Sequence, residues 1–503
     1  MSVRNMNNEI IRIKQEDLPF VSVIVLNYNG KEHLNDCFSS LEELKYPKNK
    51  LELIMVDNAS SDGSVRFMKE TFSWVTIIQN SDNLGFAKGN NVAIRRSKGD
   101  YIALLNNDTK VHKDWLIELV KAIQSDKEIG ACASKILMFD EGRLINSAGG
   151  GMTISGLGFD IGLYELDKGQ YNTFRYVLFP CAAATLIKRS LLDEIGLFDE
   201  LFFMYHDDVD LGYRIWLGGH KVVYVPTAIV YHKYGATSDV FLGTLKKLYY
   251  GERNALRSIL KNYEMQTLLK ISPQLFKHYV SSIYLIGNFS LRGILLQTYY
   301  TALKIMWNIY TFSDTVKERK KVQRLRVVSD NDLKSLISDS IPLIVMPDYP
   351  IQNKRSVCDR AEGVTVIEMG KNDKDLLGYG WYPLEATVEV PKITYRWTRE
   401  EAVAYLHLSN GKGALCLDIL AIPETIKEPV SVTLYVDDKV IGEIVLTKDG
   451  WHHLCFDVDG ANNGIVELRI EPGTMWEPAK IFNNQDMRTL GIGVRTIEWK
   501  NPG

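Results

Sequence analysis

At 503 residues the chain is too long for one ordinary hydrophobic core, so it implies two domains plus connecting structure. Apolar residues at 46% and charged residues at 24% exclude a disordered chain, and a net charge of −3 excludes a global nucleic-acid-binding surface. The six cysteines lie far apart, with no CxxC pair and no Cys/His cluster at zinc-module spacing, and read as reduced thiols of a cytoplasmic protein.

Residues 1–19 form a polar, charged tail without the apolar core of a signal peptide, so nothing in them directs export. From 20 to 240, short β-branched runs alternate with amphipathic stretches, the pattern of an α/β domain with a largely parallel sheet. Strands are expected at 21–26, 51–56, 75–79, 101–105 and 221–225, and residues 141–176, rich in glycine and passing through Asp160 and Asp167, as a mobile loop. Residues 241–345 read as a helical region that closes on the basic run KERKKVQRLR. Arg292 and Lys304 interrupt its apolar stretch, which argues against a spanning helix. Helices lying peripherally on a membrane, with the basic run at anionic headgroups, and helices packed on the catalytic domain both remain open. Residues 346–503 alternate strand-like runs with Gly, Asn and Asp turns, as an all-β sandwich does. Trp381, Tyr382, Trp397, Tyr405, Trp451, Trp476 and Trp499 are its candidate sugar-stacking faces or, equally, its core.

The chemistry gathers where predicted strands end, the place where open α/β sheets bind ligands. Asn27, Asn29 and Gly30 follow the first strand, and Asp57 and Asn58 the second. An acid there can accept a base N–H or a ribose hydroxyl, although such residues also make ordinary turns and helix caps. In Asn83-Leu84-Gly85-Phe86-Ala87-Lys88-Gly89-Asn90-Asn91, glycine permits close backbone approach while Lys88 and Asn90 offer donors to a ribose or diphosphate. Asn107 and Asp108 end the fourth strand, where a carboxylate can hold a divalent ion that also takes phosphate oxygens. Asp207, Asp208 and Asp210 follow an aromatic run, which directs a carboxylate toward a partly apolar cleft and raises its pKa, unless the acids merely cap the next helix.

The order VxNYNG, VDNxSxDGS, NxGFAxGNN, LLNxDT and FDExFFMYxxDVDLxxR resembles the bacterial family 2 inverting glycosyltransferases, especially their rhamnosyltransferase-like branch, over about residues 20 to 240. The resemblance implies a GT-A nucleotide-diphospho-sugar transferase domain with a Rossmann-like mixed sheet. It implies Asn29, Asp57 and Lys88 as nucleotide contacts and Asp108 as the acid of the DXD-type motif, with Asn107 where a stricter motif carries a second acid. His232 then stands where related enzymes place a metal-binding histidine, and Asp208 where they place the base, with Asp207 shaping the acceptor site. The expected cofactor is Mn²⁺ or Mg²⁺. The expected reaction moves a sugar, foremost L-rhamnose from a dTDP donor, to a glycan or a polyprenyl-diphosphate-linked acceptor. A UDP-hexose or UDP-galactofuranose donor with the same chemistry is the alternative, and so is a non-catalytic glycan-binding protein whose C-terminal part is a loosely jelly-roll-like carbohydrate-binding module. Retention of Asp57, Asp108, Asp208 and His232 together argues against decay.

Overall fold

A computed structural model of the chain describes residues 17–139, 143–233, 236–286, 291–338, 360–387, 392–408, 412–459, 464–482, 486 and 488–501. It divides into two compact units, 1–341 and 342–503. The expected boundary at 345/346 and residues 1–16 of the expected tail lie outside the described residues.

The first unit opens with β1 (Val21–Asn27), α1 (Lys31–Glu42), β2 (Leu51–Asp57), α2 (Ser64–Thr71), β3 (Thr76–Gln79), α3 (Gly85–Arg96) and β4 (Tyr101–Asn106). It continues through β5 (Thr109–Val111), α4 (Trp115–Ser125), β6 (Ile129–Met138), β7 (Ile145–Ser147), β8 (Gly150–Thr153), β9 (Gly158–Asp160) and β10 (Arg175–Tyr176). Then come β11 (Ala184–Lys188), α5 (Arg189–Ile195), α6 (Asp207–Leu217) and β12 (Lys221–His232). The main sheet runs β10-β12-β6-β11-β4-β1-β2-β3. Strands β4, β1, β2 and β3 are parallel, whereas β11 runs antiparallel to both β4 and β6, so the sheet is mixed.

Helices cover both faces, which is why the central strands carry near-continuous apolar runs. Val23 and Val25 of β1 pack with Phe38 of α1 and Trp115 of α4, while Ile24 packs on the other face with Ile94 of α3 and Ile215 of α6. The five expected strands are present. The fifth is longer than expected, continuing to His232 through a register break between Val225 and Ile229. Two buried strands, β6 and β11, escaped the sequence reading. The first half of β6, IGACAS, lacks β-branched residues after Ile129, because small side chains suit a strand enclosed on both faces.

Residues 141–176 are not a glycine-loosened loop, although 141 and 142 lie outside the described residues. They contain β7 to β10, and their glycines serve close packing: a Cβ on Gly150 would meet the Phe179 ring at 2.2 Å, and one on Gly158 would meet Val209 at 2.5 Å. Buried Lys135 of β6 pins the segment through Asp167, at 2.5 Å, and Asn172, at 2.8 Å.

The helical region, α7 (Ala236–Asn262), α8 (Met265–Ile286), α9 (Leu291–Tyr310) and α10 (Phe312–Leu325), belongs to the same compact unit, which ends with β13 (Ile337–Ser338). Buried ionic contacts dock it. Asp210 of α6 accepts hydrogen bonds from Arg214 Nε at 3.0 Å, and from Ser258 Oγ, Lys261 Nζ and Asn262 Nδ2 of α7 at 3.0, 3.1 and 3.0 Å. Asp199 accepts from Lys261 at 2.6 Å and Arg257 at 2.9 Å, and Arg257 also reaches Asp314 of α10 at 2.6 Å. Lys304 is buried against Glu252 at 2.6 Å, while the Arg292 side chain lies outside the described residues. Part of the basic run is structural too: Arg319 donates to the carbonyls of Leu260 and Tyr263, both at 2.7 Å, closing the carbonyl end of α7. Among the described residues no helix is long and apolar enough to cross a membrane.

The second unit contains β14 (Val366–Glu368), β15 (Glu385–Ala386), β16 (Thr394–Trp397), β17 (Ala402–Leu408), β18 (Lys412–Ala421) and β19 (Val430–Val436). It ends with β20 (Lys439–Leu446), β21 (Gly450–Asp459), β22 (Gly464–Pro472) and β23 (Gly493–Lys500). These build one sheet in the order β15-β16-β23-β18-β21, with β14 added on β23, and a second in the order β17-β22-β19-β20. Six of the seven singled-out aromatics are buried, and only Trp451, 36% exposed, could meet a ligand. The reduced-thiol expectation fails for one pair. Cys416 and Cys455, 39 residues apart in sequence, are opposite one another in the β18–β21 ladder and form a disulfide.

Replacing Lys261 with Met leaves Asp199 and Asp210 buried without a shared cation, a loss of about 3–5 kcal/mol for a broken buried ion pair. Chemical denaturation should show that loss for Lys261→Met. The exposed Lys321→Ala should stay within about 0.5 kcal/mol of wild type. Equal stability of the two variants would refute the network.

Candidate active site

The parallel strands β1, β2 and β4 end together, and register sets Asn27 beside Asp57. Asn27 Nδ2 donates to Asp57 Oδ1 at 3.0 Å and to Ser60 Oγ at 3.1 Å, and its Oδ1 accepts from Asn107 Nδ2 at 2.7 Å. The other oxygen of Asp57 accepts from the Ser60 amide at 3.0 Å. This chain of side chains needs Gly30, where a Cβ would lie 2.1 Å from Asn107 Nδ2. Asn29 stands exposed in a left-handed conformation, φ 49°, with its Oδ1 accepting from the Ser61 amide at 2.8 Å.

Asn58 and Asn90 are engaged within the fold. Asn58 donates to the Gly85 carbonyl at 3.1 Å and accepts from Asn80 at 2.9 Å, so it ties the loop before α3, and Asn90 donates to the Phe86 carbonyl at 3.0 Å. Gly85, φ 76°, lets α3 begin against residue 203, because a Cβ there would sit 2.1 Å from the Phe203 carbonyl oxygen. Lys88 is exposed on α3, where its charge adds to the Arg95 and Asn91 hydrogen bonds that lower the Glu200 carboxyl.

Asp108, just past β4, is buried, and its Oδ1 lies 3.1 Å from His232 Nε2 at the end of β12. Apart from that imidazole, no group among the described residues hydrogen-bonds to this oxygen. Burial pushes the Asp108 carboxyl up, but the charge and hydrogen bond of His232, aided by His33, outweigh it and hold the carboxyl below its ordinary value. The imidazole is oriented from behind, with Nδ1 2.7 Å from Asn146 Oδ1 and Nε2 3.3 Å from Asn106 Nδ2. Two ligand atoms 3.1 Å apart match the ~3.0 Å edge of an octahedron with ~2.1 Å bonds. The carboxylate oxygen, otherwise unpartnered, and the fixed imidazole therefore fit a divalent ion.

Asp207 and Asp208 begin α6 after two consecutive left-handed residues, Tyr205 (φ 66°) and His206 (φ 71°). Such a turn costs energy and persists only when held. Asn254 of α7 holds it, donating to the carbonyls of Met204 and Tyr205 at 3.1 and 2.9 Å. Asp207 is buried, and burial together with the neighbouring Asp208 charge pushes its carboxyl well above the usual range. Asp208 is half-buried and raised to about 6 by burial and by Asp160, while its oxygens accept from the Ala182 and Val209 amides at 3.2 and 2.9 Å. The environments raise both carboxyls, Asp207 through burial and the charge of Asp208, and Asp208 to about 6.

Asp160, at the end of β9, is the residue for which the sequence offered no role. Burial raises its carboxyl, Ser147 and Cys181 hydrogen-bond to it, the nearby His232 lowers it, and its own charge raises Asp208. It thus lies within electrostatic reach of both Asp208 and His232, with Oδ1 unpartnered among the described residues. Only a conserved-looking motif could have flagged it, and a lone Asp after Gly158-Phe159 makes none.

Residues 22–196 match the profile of "Glycosyl transferase family 2". Glycosyltransferase AglE of Haloferax volcanii is 33% identical over 109 residues, 21% of this chain and 36% of that protein. The low-salt glycan biosynthesis hexosyltransferase Agl10 of the same organism is 26% identical over 213 residues, 40% of this chain and 64% of that protein. The chain thus spans less than two thirds of either relative. A solved structure of GalNAc-T7 with UDP, GalNAc and Mn²⁺ superposes with a TM-score of 0.46 at 17% identity, covering 64% of this chain and 57% of that one. The stretch from β1 through α5, with its mixed α/β sheet, is thus the part of the chain that is similar to glycosyltransferase family 2.

Proposed function

We propose that the chain is an inverting glycosyltransferase that moves a sugar from a nucleoside-diphosphate donor to a hydroxyl of a glycan. The observation that carries this reading is the buried Asp108 oxygen facing His232 at 3.1 Å at the sheet edge, together with the half-buried carboxylate of Asp208, whose pKa is raised by burial and by Asp160. Asp57, fixed by Asn27 and Ser60, keeps acceptor capacity for a base N–H, and Asn29 and Lys88 are exposed nearby on loop and helix for ribose and diphosphate. Asp208 takes the proton of the acceptor hydroxyl as its oxygen bonds to the anomeric carbon, while the bond from that carbon to the diphosphate oxygen breaks on the opposite face. Asp207, buried beside Asp208 with a raised carboxyl, shapes the acceptor side of the site. Asp108 and His232 would hold a divalent ion, which when bound supplies positive charge to the departing diphosphate. The motif order supports dTDP-L-rhamnose as donor.

The acceptor we propose is lipid-linked. Residues 265–313 contain no Asp or Glu. Leu269 and Phe276 of α8, 69% and 73% exposed, and Met306, Ile309 and Tyr310 of α9, 63%, 69% and 87% exposed, form an apolar surface bordered by exposed Lys270 and Lys277. Apolar side chains rimmed by cations suit an anionic membrane surface. The exposed Lys317, Lys320, Lys321 and Arg324 of α10 add to that charge.

Asp208→Asn should retain nucleotide binding while lowering turnover by roughly 10²-fold or more, and wild-type kcat/KM should fall about tenfold per pH unit below about 6 as the base takes a proton. A flat profile through pH 5 to 7 would remove Asp208 as base. Thermal unfolding with dTDP, UDP or GDP should show stabilisation that needs Mn²⁺ and disappears in Asp108→Ala and His232→Ala, with a ligand at about 100 times its Kd adding about 2.7 kcal/mol. Stabilisation by UDP alone would move the donor to a UDP-hexose, and none by any nucleotide would sink the transferase reading. Sedimentation with anionic vesicles should be lost in Phe276→Glu/Ile309→Glu, whereas unchanged binding would dismiss the lipid surface.

A further inference from the structure

In the β18–β21 ladder Cys416 is opposite Cys455, and Asp418 is opposite His453. Because side chains alternate along a strand, these four project from one face of the sheet. His453 Nδ1 lies 2.7 Å from Asp418 Oδ1, and His453 Nε2 lies 3.4 Å from Cys455 Sγ. Both sulfurs and an imidazole nitrogen fall within 4.8 Å of one another, with Cys416 buried and His453 and Cys455 exposed. On the other side of Cys416, register sets Glu498 of β23. A disulfide that only staples two hydrogen-bonded strands has no use for an imidazole aimed at its sulfur, nor for a carboxylate that fixes the imidazole's orientation. Carboxylate, histidine and thiolate in that order are the ligand and supporting shell of a zinc site.

We propose that Cys416, Cys455 and His453 form a redox-gated site for a thiophilic divalent ion, Zn²⁺, and that the disulfide is the oxidised, metal-free state of that site. Zn–S and Zn–N bonds of ~2.3 and ~2.1 Å give a tetrahedral S···N edge of ~3.6 Å, close to the present 3.4 Å between Cys455 and His453. Only the sulfurs must part, to an edge of ~3.8 Å, which side-chain rotation at exposed Cys455 provides. Opening is thiol–disulfide exchange: a dithiol reductant gives two electrons and two protons and becomes a disulfide, while Cys416 and Cys455 become thiols. Zn²⁺ then binds both sulfurs as thiolates and releases those two protons, and His453 binds through Nε2 with its Nδ1–H donated to Asp418. Water or Glu498 completes the fourth position. The site belongs to the second unit and is independent of the Asp108–His232 pair, which offers no sulfur.

The test uses the full chain reduced with a phosphine, with Co²⁺ as probe. One equivalent of Co²⁺ should raise a thiolate-to-cobalt charge-transfer band in the reduced chain and none in the disulfide form, and one equivalent of Zn²⁺ should bleach it. Cys455→Ser, at an exposed position, should abolish the band, Asp418→Asn should weaken Co²⁺ binding by about 10- to 100-fold, and Asp108→Ala should leave the band intact. Absence of the band in the reduced wild type, or its persistence in Cys455→Ser, would overturn the assignment.

Discussion

The candidate site rests on buried charges that no catalytic step uses. Asp210, in the first turn of α6, is held by Arg214 from its own helix and by Lys261 and Asn262 from α7, and Asp199 shares Lys261 and adds Arg257. Burial works against both carboxylates, yet the cations more than offset it and hold Asp199 below, and Asp210 well below, the ordinary value. A network of this kind breaks at high cost and sets geometry more than it adds stability. Its geometric product is the placement of α6, and with it Asp207 and Asp208, against the carboxyl edge of the sheet. The same helix, α7, clamps the left-handed turn before α6 through Asn254.

Two acids adjacent in sequence thereby receive different environments. Asp207 is buried and faces the charge of its neighbour, whereas Asp208 keeps two backbone amide donors that favour its ionised form. Burial and, after it, the charge of Asp160 supply the opposing influence and raise Asp208 to about 6. The glycine-rich segment that carries Asp160 is held by close packing and by Lys135, so this carboxyl is a fixed part of the site rather than part of a moving cover.

In the second unit the aromatic side chains are mostly structural. Trp397 packs edge-on against Trp476 and Tyr395, and Tyr395 in turn meets Trp451, so the exposed ring of Trp451 is the end of a core cluster. Large rings at alternating strand positions fill the space between sheet and neighbouring loops, and this outweighs their capacity to stack on sugars.

The sequence by itself determined the elements whose cause is local. Apolar runs produced β1, β2 and β4, and the polar residues at their ends mark the edge where Asn27, Asp57, Asn107 and Asp108 now stand. His232 and Asp108 were legible as a pair only through motif order, since they lie 124 positions apart in the chain and β12 must pass beside β6 to join them. What tertiary structure alone decided depends on contacts between distant segments. Small residues made β6 a central strand, and packing against aromatic rings ordered the glycines of β8 and β9. Arg319 and Arg326 of the basic run were turned inward to carbonyls at the end of α7. Cys416 and Cys455 became partners, and Asp160 entered the site, because ladder register and burial are properties of paired segments that no single stretch of sequence contains.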